Sequence, residues 1–257
     1  MKIRSGLFPL AFVAAVVMPG CSGHSPSPGG AQHYASGDRS TKDRYEVATQ
    51  DSTSYAALLK AHEHGPQRAL RVKVDTARNR LWVLALEDVY VYDITGKQLI
   101  RRVVLPNRSV AGFVCSPDMA LDRSGSAFIS SNVESTLWKI NTDDFDIKER
   151  EITLHAGASR DLGFGALTFA ADGALYALTA SEGSLWRIDV ATLSANEVAL
   201  SERMSGTCTL IAPRQSSSQS VQLRTMVLCA AAEKNVRRIV ISPDSTRGQV
   251  SDEKCPS

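Results

Sequence analysis

The chain has 257 residues, 43% of them hydrophobic and 22% charged, with 29 lysines and arginines against 27 aspartates and glutamates. That is ordinary globular composition, which excludes wholesale disorder and a polytopic membrane protein and leaves length enough for a sizeable core. The charge balances once Lys2 and Arg4 leave with a cleaved leader, so no basic surface is available for binding nucleic acid by counterion release.

At the N-terminus, Lys2 and Arg4 precede an apolar run of 13 residues from Gly6 to Met18. The run is too short to span a bilayer as a helix and has the length of a signal-peptide core. It ends in Met18-Pro19-Gly20-Cys21-Ser22. Those residues resemble the lipobox of bacterial lipoproteins, with Met18 and Pro19 standing where the family more often has Leu and Ala or Ser. The resemblance implies that residues 1–20 are a leader and that Cys21 is acylated, by palmitate or similar chains, and becomes the mature N-terminus. With Ser22 rather than Asp after the cysteine, it also implies the periplasmic side of the outer membrane. Several acyl chains, each CH₂ worth ~0.8 kcal/mol, anchor stably where one chain is marginal.

Residues 21–52 form a polar tether containing Ser25-Pro26-Ser27-Pro28-Gly29-Gly30. So few apolar side chains occur there that it cannot offset its own ordering entropy. His24 and His33 lie in it, with His62 and His64 just beyond, and solvated side chains are the expectation for all four. A short helix is predicted within 53–66. Tyr55, Leu58, Leu59 and His62 recur at helical spacing, and Gly65-Pro66 provides the stop.

From Leu70 the pattern changes to short β runs separated by turn signals. Shifting the chain by 48 residues lays Leu121 on Phe169, Gly125 on Gly173, Phe128 on Tyr176 and Glu134 on Glu182. The run Leu137-Trp138-Lys139-Ile140-Asn141 falls on Leu185-Trp186-Arg187-Ile188-Asp189, and Tyr90 aligns one repeat earlier with Trp138. Each repeat reads as four strands, the composition of a propeller blade, and a blade this small must stack on neighbours to bury its faces. The predicted fold is therefore all-β: a small β-propeller of about four four-stranded blades over residues 67–257. Trp138 and Trp186, at matching positions, are expected to pack between blades.

The runs Gly173-Ala174-Leu175-Tyr176-Ala177 and Leu185-Trp186-Arg187-Ile188-Asp189 resemble the strand signatures of NHL, YVTN and gluconolactonase-like propellers. The resemblance covers roughly Leu70 to Ser242. It implies the architecture and leaves the activity open, because the fold hosts unrelated functions.

Beyond Cys21, four cysteines remain: Cys115, Cys208, Cys229 and Cys255. An even set in an exported chain predicts two disulfides among three connectivities. The repeat alignment puts Cys208 at the place of Ala166 and Cys229 at that of Thr179. If Phe169 pairs with Tyr176, those places face each other across a hairpin. The expected bridges are therefore Cys208–Cys229 and Cys115–Cys255, the second latching the C-terminal tail to an early blade.

The hairpin between second and third strands carries an acid in every repeat: Glu87 (beside Asp88), Glu134, Glu182 and Glu233. Loops leading into the blades add Asp118, Arg160 and Asp161 on the same face. This is the candidate binding face. No resident metal or other cofactor is predicted, the alternative being a hard cation such as Ca²⁺ held by carboxylate oxygens if the ring is tight. Gluconolactonase-like relatives hold their metal with Glu, Asn and Asp where the strands begin near the axis. Phe113-Val114-Cys115-Ser116, Phe164-Gly165-Ala166 and Gly206-Thr207-Cys208 offer no such set. His155, the sole histidine of the repeats, has no evident catalytic partner, and no catalytic residue is assigned. The reading is a lipid-anchored binding or scaffold module whose partner is an envelope protein or other envelope component. The rival is a metal-assisted hydrolase or lyase of the gluconolactonase or streptogramin-lyase kind.

Overall fold

The structure, a computed structural model, describes residues 52–112, 115–155, 163–212, 226–231 and 236–255. Cys21 with the leader and nearly all of the tether, and the candidate residues Arg160, Asp161 and Glu233, lie outside the described residues. A helix α1 (Ser52–Leu59) runs on through a 3₁₀ turn at Lys60–His62. Every later regular element among the described residues is a strand.

The strands pair antiparallel in chain order, in runs of four. The first meander is β1 (Arg71–Asp75), β2 (Arg80–Leu84), β3 (Asp88–Asp93) and β4 (Gln98–Val104). The second is β5 (Met119–Leu121), β6 (Ala127–Ser130), β7 (Thr136–Ile140) and β8 (Ile147–Glu151), followed by a short β9 (Thr153–His155). The third is β10 (Phe164–Phe169), β11 (Leu175–Thr179), β12 (Leu185–Asp189) and β13 (Ser194–Leu200). The fourth is β14 (Thr209–Ile211), β15 (Met226–Ala231), β16 (Val236–Ile241) and β17 (Arg247–Ser251). The repeat is thus real at the level of strands.

Turn chemistry repeats with it. Asp122 Oδ1 accepts the Ser126 N–H at 2.9 Å and Asp172 Oδ1 the Ala174 N–H at 3.0 Å. Between each pair sits a glycine at φ +83°, Gly125 or Gly173, a conformation other residues adopt only under strain. At Gly125 a Cβ would also lie 2.6 Å from Arg78 Nη1 in the first meander, so a side chain there would push aside the end of Arg78.

Alternation along the strands sends side chains to two different interfaces. In β2, Leu81 and Val83 face Tyr55 of α1, whereas Trp82 and Leu84 pack with Met119, Ile129, Trp138 and Ile140 of the second meander. In β11, Leu175 and Ala177 meet Phe128 and Leu137 behind, whereas Tyr176 and Leu178 meet Leu210, Leu228 and Ile239 ahead. Burial on both faces is why these strands read as continuous apolar runs. Trp82, Trp138 and Trp186 are all fully buried between meanders, as the repeat spacing of the last two implied. The helix covers the face of the first meander that has no preceding sheet.

His62 departs from the expectation of solvated histidines. It is buried, with its ring centroid 4.6 Å from that of Tyr90. The Gln67 carbonyl at 2.7 Å can only accept, so Nδ1 donates to it, and Nε2 lies 2.7 Å from the Tyr92 hydroxyl oxygen. The predicted helical stripe thus continues through His62 as a packed surface. His155, in β9, is exposed.

The disulfides are the main correction. The bridges are Cys115–Cys208 and Cys229–Cys255, not Cys208–Cys229 and Cys115–Cys255. The assumed hairpin register fails twice. Phe169 pairs with Leu175 rather than Tyr176, and that one-residue shift places Ala166 opposite Leu178, with Phe164 facing Thr179 beyond an irregularity. In the fourth meander Thr209 faces Ala231, and Cys229 faces Ile211. Cys208 is three residues from Ile211, about 10 Å along a strand, which is beyond bridging distance. Cys115 instead meets Cys208 where first strands of different meanders converge, and Gly165 is what lets them approach. A Cβ there would lie 2.3 Å from Cys115 Cβ.

The two bridges close loops of different length, with sequence separations of 93 and 26. Chain-entropy arguments give about 4–5 kcal/mol for the longer and about 3–4 kcal/mol for the shorter. Replacing Cys115 and Cys208 together by Ser is therefore expected to lower unfolding free energy more than replacing Cys229 and Cys255. Equilibrium denaturation of both double variants, with non-reducing peptide mapping of the parent, checks the order and the pairing.

Candidate functional site

The first strands of the meanders pack in sequence, β1 on β5, β5 on β10 and β10 on β14. Where they begin, a polar cluster is buried among otherwise apolar strands. Its centre is Arg71, the first residue of β1. Arg71 Nε donates to Asp118 Oδ1 at 3.1 Å, and Nη1 to the Leu70 carbonyl at 2.9 Å. Nη2 is directed at the carbonyls of Ser116 (3.4 Å), Gly165 (3.3 Å) and Cys208 (3.1 Å). One guanidinium therefore reaches backbone in all four meanders.

Asp118 is almost fully enclosed, its side chain 3% exposed. Besides Arg71, its carboxylate accepts the Met119 N–H and the Leu167 N–H, both at 2.7 Å, so it ties β5 to β10 as well. Ser130, buried in β6, accepts the Asp118 N–H at 2.9 Å and donates to the Phe164 carbonyl at 2.8 Å. Buried Asn132 holds the chain leading into β5, donating to the carbonyls of Ala111 (2.9 Å) and Cys115 (3.1 Å). Every polar group named here has a partner, which is the condition for burial. The cluster is a structural clamp with its carboxylate and its cation both engaged.

Asp118 was among the residues singled out from sequence; Arg71, Ser130 and Asn132 were not. A signal for Arg71 existed. The 48-residue frame puts it where the next two repeats carry the apolar residues Met119 and Leu167, and a charge at such a position calls for a buried partner.

Of the acidic hairpin residues, three are described, and they stand apart in their surroundings. Glu87 and Glu134 are exposed, and Glu182 is ion-paired with Arg203. Among the described residues, no three histidines, cysteines, aspartates or glutamates stand close enough together to hold a metal ion. Beside Glu87, Asp88 is buried and already engaged. Arg102 grips it through Nε (3.0 Å) and Nη2 (2.9 Å), and Tyr90 donates its hydroxyl at 3.4 Å.

Near that pair lies Arg108, in the loop after β4. All three nitrogens of its guanidinium are buried without a hydrogen-bond partner. Burial pushes it down from the ordinary arginine range to about 10, opposed only by the charge of Asp88. For a base, a folded-state value below the unfolded one means that folding penalises the charged form. That penalty is in full force at neutral pH and fades only as pH rises past about 10.

The other surface feature is a groove of about 550 Å³ between β4 and the turn that joins β7 to β8. Arg101, Arg102, Val103 and Val104 of β4 form one wall, and Asp144, Phe145, Asp146 and Ile147 the other. Phe145 is anchored beneath Arg80, whose guanidinium carbon lies 5.1 Å from the ring centroid.

No protein-family model matches the chain, and no curated protein matches it in sequence. Solved structures do resemble it in fold. Virginiamycin B lyase from Staphylococcus aureus, in a catalytically inactive form with quinupristin, superposes with a TM-score of 0.50 at 15% identity over 75% of this chain and 57% of the lyase. A Kuenenia stuttgartiensis hydrazine synthase chain gives 0.49 at 14% identity, over 73% of this chain and 50% of that one. An auxiliary nutrient binding protein from Bacteroides thetaiotaomicron gives 0.48 at 11%, over 74% and 43%. The chain spans about half the length of these structures.

The unpartnered guanidinium makes a direct prediction. Arg108→Met keeps much of the side-chain volume and removes the uncompensated charge, so it is expected to stabilise the protein by roughly 1–3 kcal/mol in neutral buffer. Urea denaturation measures this; a loss of stability would mean that the guanidinium has a partner in solution. At this level of similarity the solved structures establish the fold, and the chain is an all-β protein with the β-propeller fold.

Proposed function

We infer that this chain is a lipoprotein tethered through Cys21 to the periplasmic side of the outer membrane, and that it works there as a binding or scaffold module rather than a catalyst. Its four meanders are read as four blades of one propeller, clamped on a common centre. The observation that carries the reading is Arg71. In a metal-assisted hydrolase or lyase of this fold, a cation sits where the inner strands begin. Here a fixed guanidinium takes that place and is directed at the carbonyls of Ser116, Gly165 and Cys208. A permanent positive charge in that position opposes metal binding by simple repulsion. Recognition is left to the outer surfaces of the blades, and the partner class is an envelope protein.

Two arms test this. Cys21→Ser is expected to move the protein from the membrane to the soluble fraction; an unlipidated variant that still fractionates with membrane would overturn the anchor. Cross-linking in intact cells, then purification of the full-length lipoprotein from detergent-solubilised envelopes, is expected to recover a discrete envelope protein in stoichiometric amount. Recovery of the chain alone would overturn the binding role, as would hydrolysis of a lactone panel that depends on added divalent metal.

A further inference from the structure

The outermost strand of a meander has one free edge, and the fold covers that edge twice. β9 adds parallel to β13, matching Thr153 with Ser194, Leu154 with Ala195 and His155 with Asn196. β13 pairs parallel with β17 in turn, through Ala199 with Arg247 and Leu200 with Gly248. β4 and β8 stay uncovered: among the described strands β4 pairs only with β3 and β8 only with β7, and the groove of about 550 Å³ lies beside β4.

One wall of that groove is the run 101–104 of β4 and the other the run 144–147, the turn that leads into β8. Strand β4 is also unusually apolar for its exposure. Leu99 is 50% exposed, Ile100 41% and Val104 62%, and of the five large exposed hydrophobics among the described residues these are three. Unpaired backbone donors and acceptors beside exposed aliphatic side chains form a template for one more strand.

Charge selects the occupant. Arg102 is held by Asp88, but Arg101 is exposed on the groove and forms no ion pair with any described residue. A second copy of the chain fits poorly. A two-fold antiparallel pairing that uses all of Gln98–Val104 sets Arg101 directly against its own counterpart, and like charges in that position repel. An acidic residue there is favoured instead. We propose that the free edge of β4 is a strand-addition site for an extended segment of a partner protein that carries an acidic residue between aliphatic ones. Arg101 admits such a segment and discourages self-association. This rests on the binding role inferred above and names the surface and the partner chemistry for it.

The test uses the full-length protein and a blocked nonapeptide of alternating threonine and valine with glutamate at its centre, followed by fluorescence anisotropy. The glutamate peptide is expected to bind, and exchanging its central residue for lysine to weaken binding about tenfold. Arg101→Glu is expected to invert that preference, and N-methylation of alternate peptide amides to abolish binding. Absence of binding, equal binding of the N-methylated peptide, or the same preference in Arg101→Glu would overturn the proposal. So would a concentration-dependent dimer that Arg101→Glu dissolves, which would make a second copy the occupant. If the peptide fails while an envelope protein still co-purifies with both wild type and Arg101→Glu, the edge is refuted and the binding role stands.

Discussion

One guanidinium holds the centre of this molecule together. A propeller built from few repeats must bring the inner strands of every repeat close to a common line, where carbonyl groups at the strand ends converge with nothing to donate to them. Arg71 supplies donors in a planar fork, meeting the carboxylate of Asp118 and carbonyls from each of the other meanders. Asp118 answers by accepting amides from β5 and β10. The pair is part-buried, with the Asp118 side chain 3% and the Arg71 side chain 22% exposed, and its remaining valences are spent largely on backbone, the arrangement under which such a pair can offset its own desolvation.

Around that centre the packing is linear. Helix α1 seals one face of the first meander, and successive apolar interfaces follow between first and second, second and third, and third and fourth. The Cys115–Cys208 bridge then crosses from second to fourth beside the clamp, while Cys229–Cys255 returns the chain after β17 to β15.

Much of this was legible in the sequence because it repeats. The 48-residue shift located the blades, and the same shift placed Trp138 and Trp186 between them. What the repeat could not carry was contact between positions that no register relates. Cys115 and Cys208 meet across the axis, a relation set by how meanders close on one another rather than by any hairpin, and a one-residue error in the assumed pairing of Phe169 sufficed to choose the wrong partner. Strand β17, Arg247-Gly248-Gln249-Val250-Ser251, has little apolar content of its own, and its place is fixed by pairing with β16 and β13. His62 was legible as part of a helical stripe, but its burial depended on Tyr90 and Tyr92, 28 and 30 residues further on. The acidic hairpins share a position in the repeat, yet among the described residues no three acids, histidines or cysteines stand close enough to hold a metal ion.

The account stands or falls on the clamp, and a double-mutant cycle over Arg71→Met and Asp118→Asn measures it. Breaking one partner of a buried pair costs about 3–5 kcal/mol, and the two losses should be strongly non-additive because each variant removes the same interaction. The cycle is expected to give a coupling energy of at least about 1.5 kcal/mol, with amide exchange quickening at the first strands of all four meanders in Arg71→Met. Additive losses of a few tenths of a kcal/mol, with amide protection unchanged outside β1, would contradict a structure organised around this cation.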